Sequence, residues 1–199
     1  MPRKKKEEEV LTEYSDAEET GKKVFSGELL DRRVVIFGDD GLELYDQGGF
    51  GKPFDDRVEL DLIESLFLNE RGRLEIMSDG KKMEFKEVFK HVCRNMTDAN
   101  PLFIVYKNLR ERGYLCKTGF KFGAYIRCYE RGVKLKRGPK AQHEHTKWVI
   151  HPMAEEAGFS FAEFARAVRL AHNIRATMLW AVVDRENDVT FYKIMRIKP

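Results

Sequence analysis

Cysteine is scarce in this chain of 199 residues, limited to Cys93, Cys116 and Cys128, with no C-x-x-C spacing. That set excludes a disulfide framework and a cysteine-rich zinc site, and it reads as buried or incidental thiols in a reducing compartment. Long apolar runs are missing too. None approaches the ~18–20 residues of a membrane span. The opening stretch MPRKKKEEEV has no apolar segment of a secretory signal. A cytoplasmic protein without membrane contact is therefore expected. No internal repeat and no Pro-, Ser- or Gln-rich linker interrupts the chain. The adjacent basic and acidic blocks at the start read as a charged tail over residues 1–20.

What is abundant is charge. Charged residues make up 35% of the chain and apolar ones 42%, which leaves enough for a packed core under a wet surface. The length allows one mid-sized domain or two small ones. The net charge of +3 conceals an asymmetry. Met1 to Arg112 carries 20 Lys and Arg against 25 Asp and Glu, whereas Gly113 to Pro199 carries 16 against 8. The second part is a candidate polyanion binder.

The local patterns predict a mixed α/β (α+β) chain. RRVVIFG (Arg32–Gly38) and LELYD (Leu42–Asp46) look like a hairpin. LDLIESLFLNERG (Leu60–Gly72) has a helical repeat, and RLEIM (Arg73–Met77) is a short strand. FKEVFKHVCRNM (Phe85–Met96) and ANPLFIVYKNLRERGY (Ala99–Tyr114) are two more helices, the last begun by Pro101 and stopped by Gly113. These make a small α+β unit over residues 21–112. The remainder, 113–199, forms a second α/β unit with a central mixed sheet. AYIRCYE alternates, with Tyr125, Arg127 and Tyr129 on one face and Ile126 and Cys128 on the other. VKLKRGPKAQHE is a basic loop, and HTKWVIHP (His145–Pro152) a strand. Ser160 with Glu163 forms a capping box, and Phe159 with Phe164 a hydrophobic staple, for a helix running to about Arg175. TMLWAVVD and VTFYKIMRI are strands.

Three stretches invite chemistry. GGFGKP (Gly48–Pro53) lacks the spacing of a phosphate loop and has Pro53 where a hydroxyl belongs, so it reads as a turn. His143, His145 and His151 would share a strand face, but no cysteine or acid completes a metal set. No metal and no cofactor is expected. Tyr129 and His145 are more informative, because they could meet at one end of a sheet. RNA cleavage by its own 2′-hydroxyl needs a base, an acid and a cation. Histidine is a natural acid near neutrality. A tyrosine titrates near ~10 and needs cationic neighbours to act as a base. Arg127, Arg131 and the loop lysines are at hand.

GYLCKTGFKFGAYIRCYERG, HTKWVIH and RLAHNIRATMLWAVVDRENDVTFYKI occur in order over nearly all of Gly113–Ile197. Together they resemble the catalytic domain of archaeal tRNA-splicing endonucleases. The preceding unit, with LYDQGGFGK, resembles that family's N-terminal domain more loosely. The resemblance implies an endoribonuclease with lyase-type chemistry that cuts precursor tRNA at bulge–helix–bulge intron junctions. It would leave 2′,3′-cyclic phosphate and 5′-hydroxyl ends without a metal. It implies Tyr129 as the base and His145 as the acid. It puts a lysine after the arginine of AHNIR, where this chain has Ala176. Thr177, Met178 and Leu179 offer no lysine either. Arg175 is adjacent, but on a helix it would point ~100° away. The chain is then an inactivated form of an enzyme, or a non-catalytic architectural RNA-binding subunit of a heteromeric endonuclease. The retained Tyr129 and His145 favour the first.

The resemblance further implies a homotetramer, a dimer of dimers, in which an acidic loop enters a partner's cleft. DRENDV supplies Asp184, Glu186 and Asp188 for that loop, and Phe191 lies in the strand expected at the dimer seam. Arg169 matches an arginine that stacks on a bulged base. Arg127 and Lys140 are read as further RNA contacts.

Overall fold

The computed structural model describes residues 23–118, 126–135 and 145–197. The mixed α+β class holds, with eleven strands and five helices among the described residues. The chain first makes β1 (Phe25–Leu30) and β2 (Arg33–Phe37), an antiparallel pair closed at Leu30 and Arg33. Next come α1 (Asp39–Gly48), β3 (Lys52–Pro53), β4 (Arg57–Asp61), α2 (Leu62–Glu70), β5 (Leu74–Ser78) and β6 (Lys81–Met83). The strands form a six-stranded sheet in the order β3-β4-β2-β1-β5-β6, with β1 and β5 parallel.

One expected strand is corrected. Leu42–Asp46 does not pair with Arg33–Phe37; it lies within helix α1, and β2 pairs with β1 and β4. Five residues of alternation are too few to separate a period of 2 from one of 3.6. Gly41 shows why the helix fits. A Cβ there would stand 2.7 Å from the Ile36 carbonyl oxygen and 3.1 Å from the Val58 Cβ, so α1 lies flat on the sheet only because position 41 is bare. The helix buries Leu44 and Tyr45 beneath it. GGFGKP is a turn, as expected, leading out of α1 into β3.

Helix α2 starts two residues later than the apolar pattern suggests, because Leu60 and Asp61 still belong to β4. Asp61 then caps it. Its Oδ1 accepts the Ile63 N–H at 3.0 Å, and Glu64 Oε2 accepts the Asp61 N–H at 3.2 Å. Leu62, Ile63, Leu66, Phe67 and Leu68 are all buried, so the helix is enclosed nearly all round. The cap shares that burial, which pushes the Asp61 carboxyl up to about 6. The folded value lies above the unfolded ~3.9, so the folded state holds the proton more tightly. The resulting stability is fully present below the unfolded pKa and is lost as pH rises through about 6. Asp61→Asn keeps a good N-cap and removes the charge. It is expected to stabilise the protein at pH 8 by up to ~2–3 kcal/mol, a net figure that already includes the attraction of the Arg33 guanidinium 3.8 Å away. The gain should vanish at pH 4. Thermal melts of both proteins at the two pH values check this, and equal melting at pH 8 would count against it.

Helices α3 (Phe85–Asn95) and α4 (Ala99–Glu111) follow at the expected places. The second sheet contains β7 (Cys116–Thr118), β8 (Ile126–Cys128), β9 (Trp148–Ala154), β10 (Thr177–Val183) and β11 (Val189–Ile194), in the order β11-β10-β9-β8-β7. Only β9 and β10 are parallel. A parallel pair needs a crossover, and α5 (Phe161–Asn173) provides it.

Alternate residues of this sheet face two cores. Ile126, Cys128, Ile150, Ala181 and Val183 join Leu102, Val105, Tyr106 and Leu109 of α4 in a large core that extends through the first sheet. Val149, Met178 and Trp180 pack with Val168 and Ala171 of α5 in a smaller one. The sheet is thus held between two helices, and α4 is common to both sheets' packing.

Candidate active site

Three strand ends meet at one edge of the second sheet. Cys128 of β8 pairs with Trp148 of β9, and Trp148 pairs with Thr177 of β10. One step beyond the ladder, Tyr129 and Ala176 flank Lys147. The Lys147 N–H donates to the Cys128 carbonyl at 2.9 Å, and the Lys147 carbonyl accepts the Thr177 N–H at 2.9 Å. Adjacent strands lie ~4.8 Å apart, so about two spacings separate the Tyr129 and Ala176 backbones. His145 is two residues before Lys147. The register therefore brings the backbones of positions 129 and 176 to either side of Lys147.

His145 does not open a strand, as its sequence context suggested. The strand begins at Trp148, and residues 145–147 precede it. The reason lies in the neighbour: β8 ends at Cys128, so the ladder offers no partner further out. His145 is exposed as a result.

Tyr129 has the opposite environment. It is only 1% exposed, and its N–H donates to the Leu115 carbonyl at 3.0 Å. Ile126 and Cys128, on the other face of the alternation, are buried too, while Tyr125 lies outside the described residues.

Ala176 is placed by the end of α5. That helix begins at Ser160, whose Oγ accepts the Glu163 N–H at 3.2 Å while Glu163 Oε2 accepts the Ser160 N–H at 2.9 Å. The expected staple closes through a third ring: Phe159 and Phe164 both pack on Trp180, at 5.6 and 5.0 Å. The helix stops at Asn173 rather than Arg175. Arg175 sits at φ 57, and the Ala176 N–H turns back to the Ala171 carbonyl at 2.9 Å, the closing bond of a left-handed helix stop. Arg175 and Ala176 are thus not neighbours on a helix. The left-handed residue turns the chain so that Ala176 meets the smaller core.

Among the described residues, four charged side chains lie nearby: Lys147, Glu130, Arg131 and Arg127. Lys147 Nζ lies 2.8 Å from Glu130 Oε1, with side chains 52% and 54% exposed. Arg131 sits over the Tyr114 ring at 4.6 Å. Arg127 is half-buried on β8, two residues inward of Tyr129. Lys147 is part of the quoted HTKW, but nothing in the sequence singled it out; only strand register puts it between Tyr129 and Ala176.

Other expected residues lie elsewhere or outside the described residues. Arg169 is exposed on α5, its Nε donating to the Ala165 carbonyl at 3.3 Å. Lys140 and His143 lie outside the described residues. His151 lies between the Phe159 and Trp180 rings at 5.0 and 5.2 Å, and burial holds its pKa below the ordinary histidine value. No cluster of three metal-ligating side chains occurs among the described residues. None of the described helices is long and apolar enough to cross a membrane.

In the hairpin loop, Asp184 Oδ1 accepts the N–H groups of Glu186 and Asp188 at 3.0 and 2.8 Å. Asp184 therefore shapes the loop, while Glu186 and Asp188 are exposed. Phe191 is half-buried against the large core with the Arg112 guanidinium over its ring at 5.8 Å. Tyr192, Met195 and Ile197 are the exposed apolar residues at this end of the chain.

Residues 100–191 match the family model described as tRNA intron endonuclease, catalytic C-terminal domain. Residues 25–89 match its companion, tRNA intron endonuclease, N-terminal domain. A tRNA-splicing endonuclease of Thermococcus onnurineus is 36% identical over 156 residues, covering 78% of this chain and 86% of that protein. The chain belongs to the tRNA intron endonuclease family. Within the family, the tRNA-splicing endonuclease of Methanothermobacter thermautotrophicus is 33% identical over 174 residues, covering 87% of this chain and 98% of the relative. That of Nanoarchaeum equitans is 38% identical over 145 residues, covering 72% and 92%. The catalytic-domain match begins at residue 100, and so includes α4 as well as the second sheet.

Proposed function

We propose that this chain is an endoribonuclease subunit that cleaves precursor tRNA at bulge–helix–bulge intron junctions. The observation that supports the reading is the alignment of the ends of β8, β9 and β10 at Cys128, Trp148 and Thr177, next to which Tyr129 and Ala176 stand in the chain. The 2′-oxygen attacks phosphorus as Tyr129 takes its proton. The bond from phosphorus to the 5′-oxygen breaks as His145 donates a proton to that oxygen. The products are a 2′,3′-cyclic phosphate and a 5′-hydroxyl. Every step is proton transfer and charge stabilisation, which side chains supply without a metal. Tyr129 is 1% exposed, so substrate must uncover it before a 2′-hydroxyl reaches the phenol. Arg169 on the exposed face of α5, with Arg127 and Lys140, contacts RNA. Four copies assemble as a dimer of dimers, with Glu186 and Asp188 entering a partner's cleft and the β11 edge, which includes Phe191, forming the seam. The chain acts in the cytoplasm.

A second reading is favoured by Ala176 and by the covered Tyr129: an architectural subunit that binds the same RNA and leaves cutting to a companion. Both readings require recognition of shape, because A-form grooves hide base edges while bulges splay bases out. A bulge–helix–bulge RNA is expected to bind about tenfold or more tightly than an unbulged duplex of the same composition, with affinity falling as salt rises. A titration of each labelled RNA at two salt concentrations checks this. Equal binding of the two would remove both readings.

A further inference from the structure

The in-line attack loads negative charge onto the phosphate oxygens, and a cation aimed at them is worth more than any other single contact. Position 176 presents a methyl group in place of an ammonium. The strand register puts a different cation beside it. Lys147 stands between Tyr129 and Ala176, one pair beyond the aligned Cys128, Trp148 and Thr177. The bonds to Cys128 and Thr177 put the Lys147 backbone next to those of Tyr129 and Ala176. Its backbone is held on both sides by the bonds to Cys128 and Thr177, each 2.9 Å.

The ammonium is also available. It rests on Glu130 Oε1 at 2.8 Å, with both side chains more than half exposed. Such an exposed pair is worth only ~0–1 kcal/mol, so a phosphate can take the ammonium over. Glu130 directly follows Tyr129 in the chain, so the ion pair ties Lys147 to the end of β8. From position 147 to position 176 is one strand spacing, ~4.8 Å, and the lysine stem is flexible. Among the described residues, Arg131 and Arg175 are less well placed. Arg131 lies over Tyr114, and Arg175 is at the left-handed stop of α5.

We propose that Lys147 supplies the cation that position 176 lacks, contacting the scissile phosphate between Tyr129 and His145, so that the chain cuts RNA as it stands. Lys147 transfers no proton. The 2′-proton still goes to Tyr129, and His145 still protonates the departing 5′-oxygen. The inference rests on the endoribonuclease reading above.

The test compares the full-length chain with Lys147→Gln, Lys147→Arg and Ala176→Lys on a labelled bulge–helix–bulge RNA under single turnover in excess chelator. The native chain is expected to cut. Lys147→Gln should lose about 100-fold in rate while RNA affinity changes by less than ~10-fold. Lys147→Arg, which keeps the charge, should recover most of the loss. Melting curves of the variants report folding, and the exposed side chain leaves both backbone bonds in place. Native cutting that survives Lys147→Gln would overturn the proposal. So would a silent native chain beside an active Ala176→Lys variant, and that outcome leaves the endoribonuclease reading standing. If neither protein cuts a bound RNA, the endoribonuclease reading fails and takes this one with it.

Discussion

Ala176→Lys is expected to raise single-turnover cleavage by roughly 10- to 100-fold over the native chain. Position 176 joins the ladder through the Thr177 N–H bond to the Lys147 carbonyl at 2.9 Å and is fixed from the other side by its own N–H bond to Ala171 at 2.9 Å. A lysine there starts from a pre-set backbone, whereas Lys147 must first leave Glu130. The gain should appear in the rate of the bound complex more than in affinity, because the charge it meets develops during the reaction. Cleavage should persist in excess chelator and leave cyclic phosphate ends. The half-buried Ala176 packs at the margin of the smaller core, so a long flexible side chain can leave that margin without opening the core. A variant that binds RNA and cuts no faster would show that position 176 is not where charge is needed.

Gly51→Ala is expected to cost about 2–5 kcal/mol, a sum of left-handed strain and overpacking. Gly51 sits at φ +70, and a Cβ there would lie 2.5 Å from Val58 Cγ1 and 2.8 Å from the Glu59 carbonyl oxygen. Val58 is fully buried, and the Glu59 carbonyl is part of β4. Neither can move aside. For a protein of this size the melting temperature should fall by roughly 10 °C. Gly72→Ala is the matched control. It has φ +65 with nothing within 4 Å of the added carbon, so it carries the strain without the clash. Its cost should be about 1–2 kcal/mol. Equal losses at the two positions would show that backbone strain alone accounts for both and that the close approach at Gly51 is relieved.

Much of the fold was legible in the sequence. Helices α2 to α5 were visible because each has at least two turns of apolar repeat, and α5 also carries a capping box at Ser160 and Glu163. Strand β10 was visible as a continuous apolar run. Strands β1 and β4 carry no pattern that marked them in the sequence, and two further expectations fail locally. Leu42–Asp46 alternates like a strand yet is helical, since five alternating residues suit either period. His145 was put on a strand, since its place depends on where a neighbouring strand ends.

The candidate site divides in the same way. By itself the sequence determined the family, the motif residues Tyr129 and His145, and the absence of a lysine at position 176, because motif order and residue identity are one-dimensional. Only the tertiary structure decided what stands beside them. Pairing of β8, β9 and β10 brings positions 129, 147 and 176 side by side across 47 intervening steps of chain, and no periodicity along the chain encodes that register. Burial of Tyr129, exposure of His145 and the Lys147–Glu130 pair follow from which strand ends first. Those are properties of contacts between distant segments, set by the packing of one sheet between α4 and α5.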